Sequence, residues 1–138
     1  MKKIIGYTAG TFDMFHIGHL NLIKNARSRC DYLIVGVNSD ELVKEYKGKN
    51  VVVPLEERME IIRSLRYVDE VMKVESLEKK IVWNQKHYDL LFIGDDWKGN
   101  PRWEATAEEM KVYGVTTVFL PHTEGTNSTL LREKLIDY

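Results

Sequence analysis

Two stretches of this chain, Tyr32-Leu33-Ile34-Val35-Gly36-Val37 and Leu90-Leu91-Phe92-Ile93, are apolar or small at nearly every position. A strand with one face in water alternates apolar and polar residues. A strand that does not alternate must be covered on both faces, as in a parallel sheet layered between helices. This restricts the chain to α/β architectures.

The intervening segments fit. Lys3 to Thr8 is β-rich and ends at small residues, which predicts a first strand. Leu20, Ile23 and Ala26 recur at helical spacing within about Gly18 to Arg29. Asn38-Ser39-Asp40-Glu41 ends the second strand and offers a helix cap. Lys44 to Asn50 reads as a mobile polar loop around Gly48. Pro54 starts another helix, with Ile61, Ile62 and Leu65 on its apolar side. Tyr67 to Val71 reads as an edge strand, and Ser76 to His87 as a helix through Leu77, Ile81 and Val82. A helix over Trp103 to Tyr113 ends at Gly114. Val115 to Leu120 is the last strand, and Thr129 to Ile136 a short final helix. The order predicts a Rossmann-like, doubly wound, mostly parallel sheet of about five strands with helices on both faces. The chain's 138 residues, 1–138, suffice for one domain with its own core.

Such sheets bind ligands beyond the carboxyl ends of their strands. The Gly10–His19, Asn38–Asn50, Gly94–Trp97 and Pro121–Ser128 segments each follow a strand, so all are expected on one rim. The first carries His16-Ile17-Gly18-His19. If Gly18 and His19 open a helix, its unpaired first-turn N–H groups and its dipole favour an anion. His16 and His19 flank that anion as ring N–H donors. Gly18, like Gly10-Thr11 in the preceding turn, lets a phosphate or ribose approach the backbone. Asp13 is placed to orient a histidine or to meet a phosphate-bound Mg²⁺. The expected ligand is a nucleotide's phosphate chain. A zinc site is the alternative, with His122 as a third ligand.

The formal net charge is -1, with 30% charged residues. That balance does not suggest a nucleic-acid binder. The single cysteine, Cys30, excludes an internal disulfide and a cysteine-based metal cluster. The apolar run after Met1-Lys2-Lys3 is too short for a signal peptide, and no stretch approaches a membrane span. A cytoplasmic protein without membrane insertion is expected.

The motif is the signature of nucleotidyl-transferring Rossmann-like enzymes, and nearly the whole chain resembles the cytidylyltransferase family. Gly10-Thr11-Phe12-Asp13 with His16-Ile17-Gly18-His19 carries the resemblance, followed by Arg66-Tyr67-Val68-Asp69-Glu70-Val71, Gly94-Asp95-Asp96-Trp97, and Thr123-Glu124-Gly125 with Ser128-Thr129. The resemblance implies that CTP and a phosphorylated alcohol react with release of pyrophosphate. Family members using glycerol 3-phosphate are the most similar, and their product would be CDP-glycerol. Choline, ethanolamine or polyol phosphate, ATP in place of CTP, and a non-catalytic nucleotide-binding module are the alternatives. The chain departs from the family at His122, where an arginine is usual, and at Gly125-Thr126-Asn127-Ser128-Thr129.

The acceptor phosphate is already anionic, so catalysis reduces to positioning and charge neutralisation. His16, His19, Lys44 and Arg66 are the expected catalytic residues, Arg66 as a clamp on substrate or triphosphate. A salt bridge from Arg66 to Asp69 or Glu70 is the structural alternative. Gly10, Thr11, Phe12, Asp13, Gly18, Lys47, Arg58, Asp96, His122, Thr123, Thr126, Ser128, Thr129 and Arg132 are expected to line the nucleotide. Asp40, Asp95 and Trp97 are expected at the acceptor, and Trp83, Trp97 and Trp103 would have to converge to cage a quaternary ammonium. Mg²⁺ is expected to travel with the triphosphate, ligated by phosphate oxygens and water, with no metal site of the protein's own. The resemblance also implies a homodimer.

Overall fold

The computed structural model describes residues 2–94 and 99–121. Its elements alternate as expected: β1 (Ile5–Gly10), α1 (Ile17–Arg27), β2 (Tyr32–Asn38), α2 (Asp40–Lys47), α3 (Leu55–Arg63), β3 (Glu70–Val74), α4 (Lys79–Lys86), β4 (Leu90–Gly94), α5 (Pro101–Lys111) and β5 (Thr116–Leu120). The strands form one sheet in the order β3-β2-β1-β4-β5. Every pairing is parallel. The architecture is the doubly wound one. The order reverses at β1, which makes the rim beyond β1 and β4 the switch point where such sheets bind ligands.

The apolar strands are covered on both sides. Leu33, Val35 and Val37 enter a cluster with Phe12, Ile23, Ala26, Ile62 and Phe92. Ile34, one position out of phase, enters the opposite cluster with Tyr7, Val82, Tyr88, Leu91 and Met110. The first cluster packs under α1 and α3, the second under α4 and α5. Gly36 leaves room for the second: a Cβ there would stand 2.6 Å from the Tyr7 hydroxyl and 2.5 Å from Val74 Cγ2.

Three expectations need correction. The polar run from Lys44 is helix as far as Lys47, not loop. Ser39 caps it through Leu42 N–H, Asp40 and Glu41 stand at its positive end, and Lys44 and Lys47 at its negative end. Gly48, with φ 68°, closes it in the left-handed conformation that favours glycine. The edge strand starts at Glu70, not Tyr67. Leu65, Tyr67 and Val68 pack on the core as a turn, and Asp69 exchanges backbone and side-chain bonds with Leu33 before pairing begins. Ile61 is 42% exposed, whereas Ile62 is buried. The buried side of α3 carries Arg58 instead. The expected final helix, Thr129 to Ile136, lies outside the described residues.

Candidate active site

Helix α1 begins at Ile17, one residue earlier than expected, because His16 is its cap. His16 Nδ1 accepts the Gly18 N–H at 3.0 Å. The His16 N–H in turn donates to His19 Nδ1 at 3.3 Å. This is a capping box with imidazoles where an oxygen side chain and a carboxamide or carboxylate are usual. The rings stack at 3.8 Å, with Phe12 and Phe15 each 5.4 Å from His19.

The cap settles the tautomer. A nitrogen accepting a backbone N–H carries no proton, so each ring bears its proton on Nε2. Burial lowers the pKa of His16 below the usual histidine range. Burial, with smaller effects of His16 and Lys47 outweighing Asp13, brings His19 to about 3. Both rings are therefore neutral at pH 7 and present Nε2–H as uncharged donors. His16 Nε2 is buried and has no partner among the described residues. The first turn of α1 contains no acidic residue, so its positive end stays uncompensated. The first turns of α2 and α3 hold Asp40 with Glu41 and Glu56 with Glu57.

The turn that delivers the histidines is held by contacts the sequence did not reveal. Phe12 and Met14 take positive φ of 53° and 50°, costing of order 1 kcal/mol each for non-glycine residues. Asp13 fixes the turn: its two oxygens accept Val52 and Val53 N–H, both at 2.8 Å. Its charge also bears on His19. Thr11 Oγ1 lies 3.0 Å from Tyr46 Oη, which accepts from Asn38 Nδ2 at 3.2 Å. Asn38 and Tyr46 were not anticipated. The available signal for Asn38 was a lone amide ending an otherwise apolar strand.

Arg58 is displaced from its expected role. It is 1% exposed rather than facing the rim. Nε donates to Val53 O at 2.7 Å, and Nη1 donates to Thr11 O and Asn38 O, both at 2.8 Å. Nη2 pairs with Asp40. The guanidinium joins the β1–α1 turn, the end of β2, the start of α2 and the segment before α3. It acts on a nucleotide only by positioning those segments. Asp40, expected to meet a hydroxyl, spends a carboxylate oxygen on Arg58.

Arg66 also needs correction. Glu70 lies beside Ile34 in the parallel register, so the residues before β3 sit at the amino edge of the sheet, opposite the histidines. Arg66 is exposed there and donates to Tyr67 Oη at 2.9 Å. The alternative salt bridge does not form either: Asp69 pairs with Arg27 at 3.0 Å and Glu70 with Lys86 at 2.5 Å. Of the two lysines on α2, Lys47 is the one whose charge reaches His19; Lys44 is exposed. Trp83 stacks on His87 and meets the Tyr113 ring at a tilt, each at 4.6 Å, toward the far end of α4 and just past α5. Trp103, at the start of α5, is about 15 Å away along that helix from Tyr113. Trp83 and Trp103 therefore do not converge. Asp95, Asp96, Trp97, His122, Thr123, Thr126, Ser128, Thr129 and Arg132 lie outside the described residues.

Among the described residues no three His, Cys, Asp or Glu side chains gather as metal ligands. Nor is any helix long and apolar enough to cross a membrane. The rim offers donors: helix amides, two imidazole N–H groups and an ammonium. Such a set suits phosphate oxygens.

A family model described as cytidylyltransferase-like matches residues 7–134. The glycerol-3-phosphate cytidylyltransferase of Bacillus spizizenii is 38% identical over 138 residues, spanning 98% of each chain. An ethanolamine-phosphate cytidylyltransferase of Dictyostelium discoideum is 37% identical over 98% of this chain, which corresponds to 38% of that protein. The crystal structure of a lipopolysaccharide core biosynthesis protein from Thermoplasma volcanium superposes with a TM-score of 0.74 over 91% of this chain and 100% of that one. At 21% identity it speaks for the fold alone.

Proposed function

This chain belongs to the cytidylyltransferase-like family, with CTP and a phosphorylated alcohol as its substrates, and we propose that the alcohol is glycerol 3-phosphate. The products are then CDP-glycerol and pyrophosphate. An acceptor phosphate oxygen forms a bond to the α-phosphorus of CTP as the bond to the bridging oxygen of pyrophosphate breaks. No proton need be removed from a phosphate that is anionic at neutral pH. The protein's task is to hold two anions in line and to stabilise charge on the transferring group.

The observation that carries this reading is the histidine cap. By accepting backbone N–H groups at Nδ1, His16 and His19 hold their Nε2–H donors in fixed directions beside the uncompensated start of α1. Preorganised donors of this kind need no reorganisation in the transition state. Lys47 supplies full charge nearby. Thr11 and Gly18 border the space where phosphates approach. A Mg²⁺ ion accompanying the triphosphate would be held by phosphate oxygens and water and, when bound, would supply neutralisation of those oxygens. The protein's carboxylate beside the histidines, Asp13, already serves two backbone donors.

For the acceptor, the supporting observation is at Trp103. Choline phosphate needs an aromatic face for its cation. The Lys79 ammonium already stands 5.1 Å from the Trp103 ring centroid, so that ring is not free to hold a second cation. An uncharged polyol end needs no such ring.

The test is pyrophosphate release with each of the four nucleoside triphosphates, paired in turn with glycerol 3-phosphate, ethanolamine phosphate and choline phosphate. Release is expected with CTP and glycerol 3-phosphate, falling roughly 10²–10³-fold in His16→Ala. Turnover confined to one of the ammonium-bearing acceptors refutes the proposed substrate. An undiminished His16→Ala rate refutes the proposed role of the cap.

A further inference from the structure

The rim carries a second cationic group, on the other face of the sheet. Lys79 opens α4 after β3, and Trp103 lies in the first turn of α5 after β4. Lys79 is only 7% exposed. Its ammonium stands 5.9 Å from the Tyr7 ring centroid and 5.1 Å from that of Trp103. The Arg102 guanidinium lies 5.9 Å from the same Trp103 ring.

No carboxylate among the described residues pairs with Lys79. Glu70 is bound to Lys86, Glu75 to Lys73 and Asp89 to Lys2. The Tyr88 hydroxyl donates to the Lys79 carbonyl, not to its side chain. The first turn of α4, like that of α1, has no acidic residue, and Glu78 at the cap makes no capping bond. Tyr7, whose ring the ammonium faces, has a buried hydroxyl with no partner among the described residues.

A buried charge is ordinarily paired. Here the ammonium meets ring faces, and the neighbouring charge that bears on it is another cation, Arg102. An ammonium only donates hydrogen bonds, so what completes the site is an anion.

We propose that Lys79 anchors the acceptor subsite, its ammonium taking the phosphate of the phosphorylated alcohol beside the Trp103 ring. The proposal rests on the phosphorylated-alcohol reading above. In-line displacement requires the incoming oxygen and the departing pyrophosphate on opposite sides of the α-phosphorus. The rim supplies two poles for that: α1 and its histidines over one face of the sheet, Lys79 and Trp103 over the other.

Burial lowers the Lys79 pKa to about 8, with Arg102 adding to the effect. The other titratable groups facing it are Tyr7 and Tyr88, both raised by burial, and Arg102, which stays charged. A loss of acceptor affinity setting in near pH 8 is therefore Lys79's signature.

Initial rates with CTP and glycerol 3-phosphate test this in the wild type, Lys79→Met and Lys79→Arg. Lys79→Met keeps the stem and is expected to raise KM for the acceptor about tenfold or more, with KM for CTP within about twofold. In the wild type the acceptor KM rises above pH 8. Lys79→Arg keeps its charge, recovers part of the affinity and removes that rise. An unchanged acceptor KM and pH profile in folded Lys79→Met overturns the proposal. If that variant does not fold, calorimetry of glycerol 3-phosphate against glycerol on the wild type decides: phosphate-dependent binding lost above pH 8 supports the anchor, and pH-independent binding overturns it. If ethanolamine phosphate or choline phosphate is the acceptor turned over, the substrate reading fails and the Lys79 effect is read on that acceptor. If none is, inorganic phosphate titrated against Trp fluorescence in wild type and Lys79→Met tests the anchor alone, equal affinities overturning it.

Discussion

The two sides of the rim handle polarity in opposite ways. Over the α1 face, charged and polar side chains are tied into the backbone. Arg58 reaches four segments, Asp13 grips Val52 and Val53, and Thr11, Asn38 and Tyr46 form a cluster. The groups left to a ligand there are the two imidazole N–H donors, helix amides and the Lys47 ammonium. Over the α4 and α5 face, the Lys79 ammonium stands among rings with no carboxylate partner among the described residues. Neutral donors in fixed directions discriminate a transition-state geometry from a ground state. A lone flexible cation binds an anion with less regard to geometry. On the proposed reading, chemistry belongs to the first side and capture of a substrate to the second.

If the α1 side depends on its ties, cutting the largest tie should collapse it. Arg58→Ala leaves the Thr11, Asn38 and Val53 carbonyls and Asp40 without their donor. A loss of about 3–5 kcal/mol in unfolding free energy is expected, measured by urea denaturation. Loss below about 1 kcal/mol would mean that the segments hold themselves. His19 gives a second, smaller handle. Its pKa is about 3 in the folded chain against 6.5 unfolded. Above 6.5 both states are neutral. Below it, only the unfolded chain binds the proton, so stability declines as pH falls from 6.5 toward 3. The slope is about 1.4 kcal/mol per pH unit, or about 2 kcal/mol by pH 5. His19→Gln should lack this component, as urea midpoints at pH 7, 6 and 5 will reveal. A variant with an undiminished slope would show that His19 titrates normally.

Legibility in the sequence followed the same division. The sheet was readable because burial on both faces leaves a mark at every position of β2 and β4. The helix start at the histidine pair was readable because its spacing and the turn before it are local. Arg58 and Arg66 were misplaced because an arginine's role depends on which segments surround it, and those meet only in three dimensions. Arg58 sits on the inner side of α3, where its donors saturate carbonyls from β1 and β2. Arg66 follows that helix to the far edge of the sheet. Lys44 to Lys47 read as loop because the residues are polar, yet Ser39, Asp40 and Gly48 carry the cap and stop signals that define a helix there. Lys79 left no mark. A lysine in an amphipathic helix looks solvated until Tyr7 and Trp103 are seen to close around it.

The finest distinction concerns Tyr46. It is 38% exposed, and its hydroxyl joins the end of α2 to Thr11 and Asn38. The Lys47 ammonium stands 5.5 Å from its ring centroid. Tyr46→Phe removes the hydroxyl and keeps the ring, so helix packing survives while the tie to the β1–α1 turn is lost. A net hydrogen-bond contribution of about 1 kcal/mol corresponds to about a fivefold change in an affinity. If the hydroxyl serves to hold Lys47 toward the histidines, that change appears as a higher KM for CTP at nearly constant KM for the acceptor. Stability falls by no more than about the same 1 kcal/mol. If both KM values stay constant and only the melting temperature moves, Tyr46 stabilises the turn without directing Lys47. Equal rises in both KM values would instead mean that the two sides of the rim communicate through α2, and that their separation into a chemical side and a capturing side is incomplete.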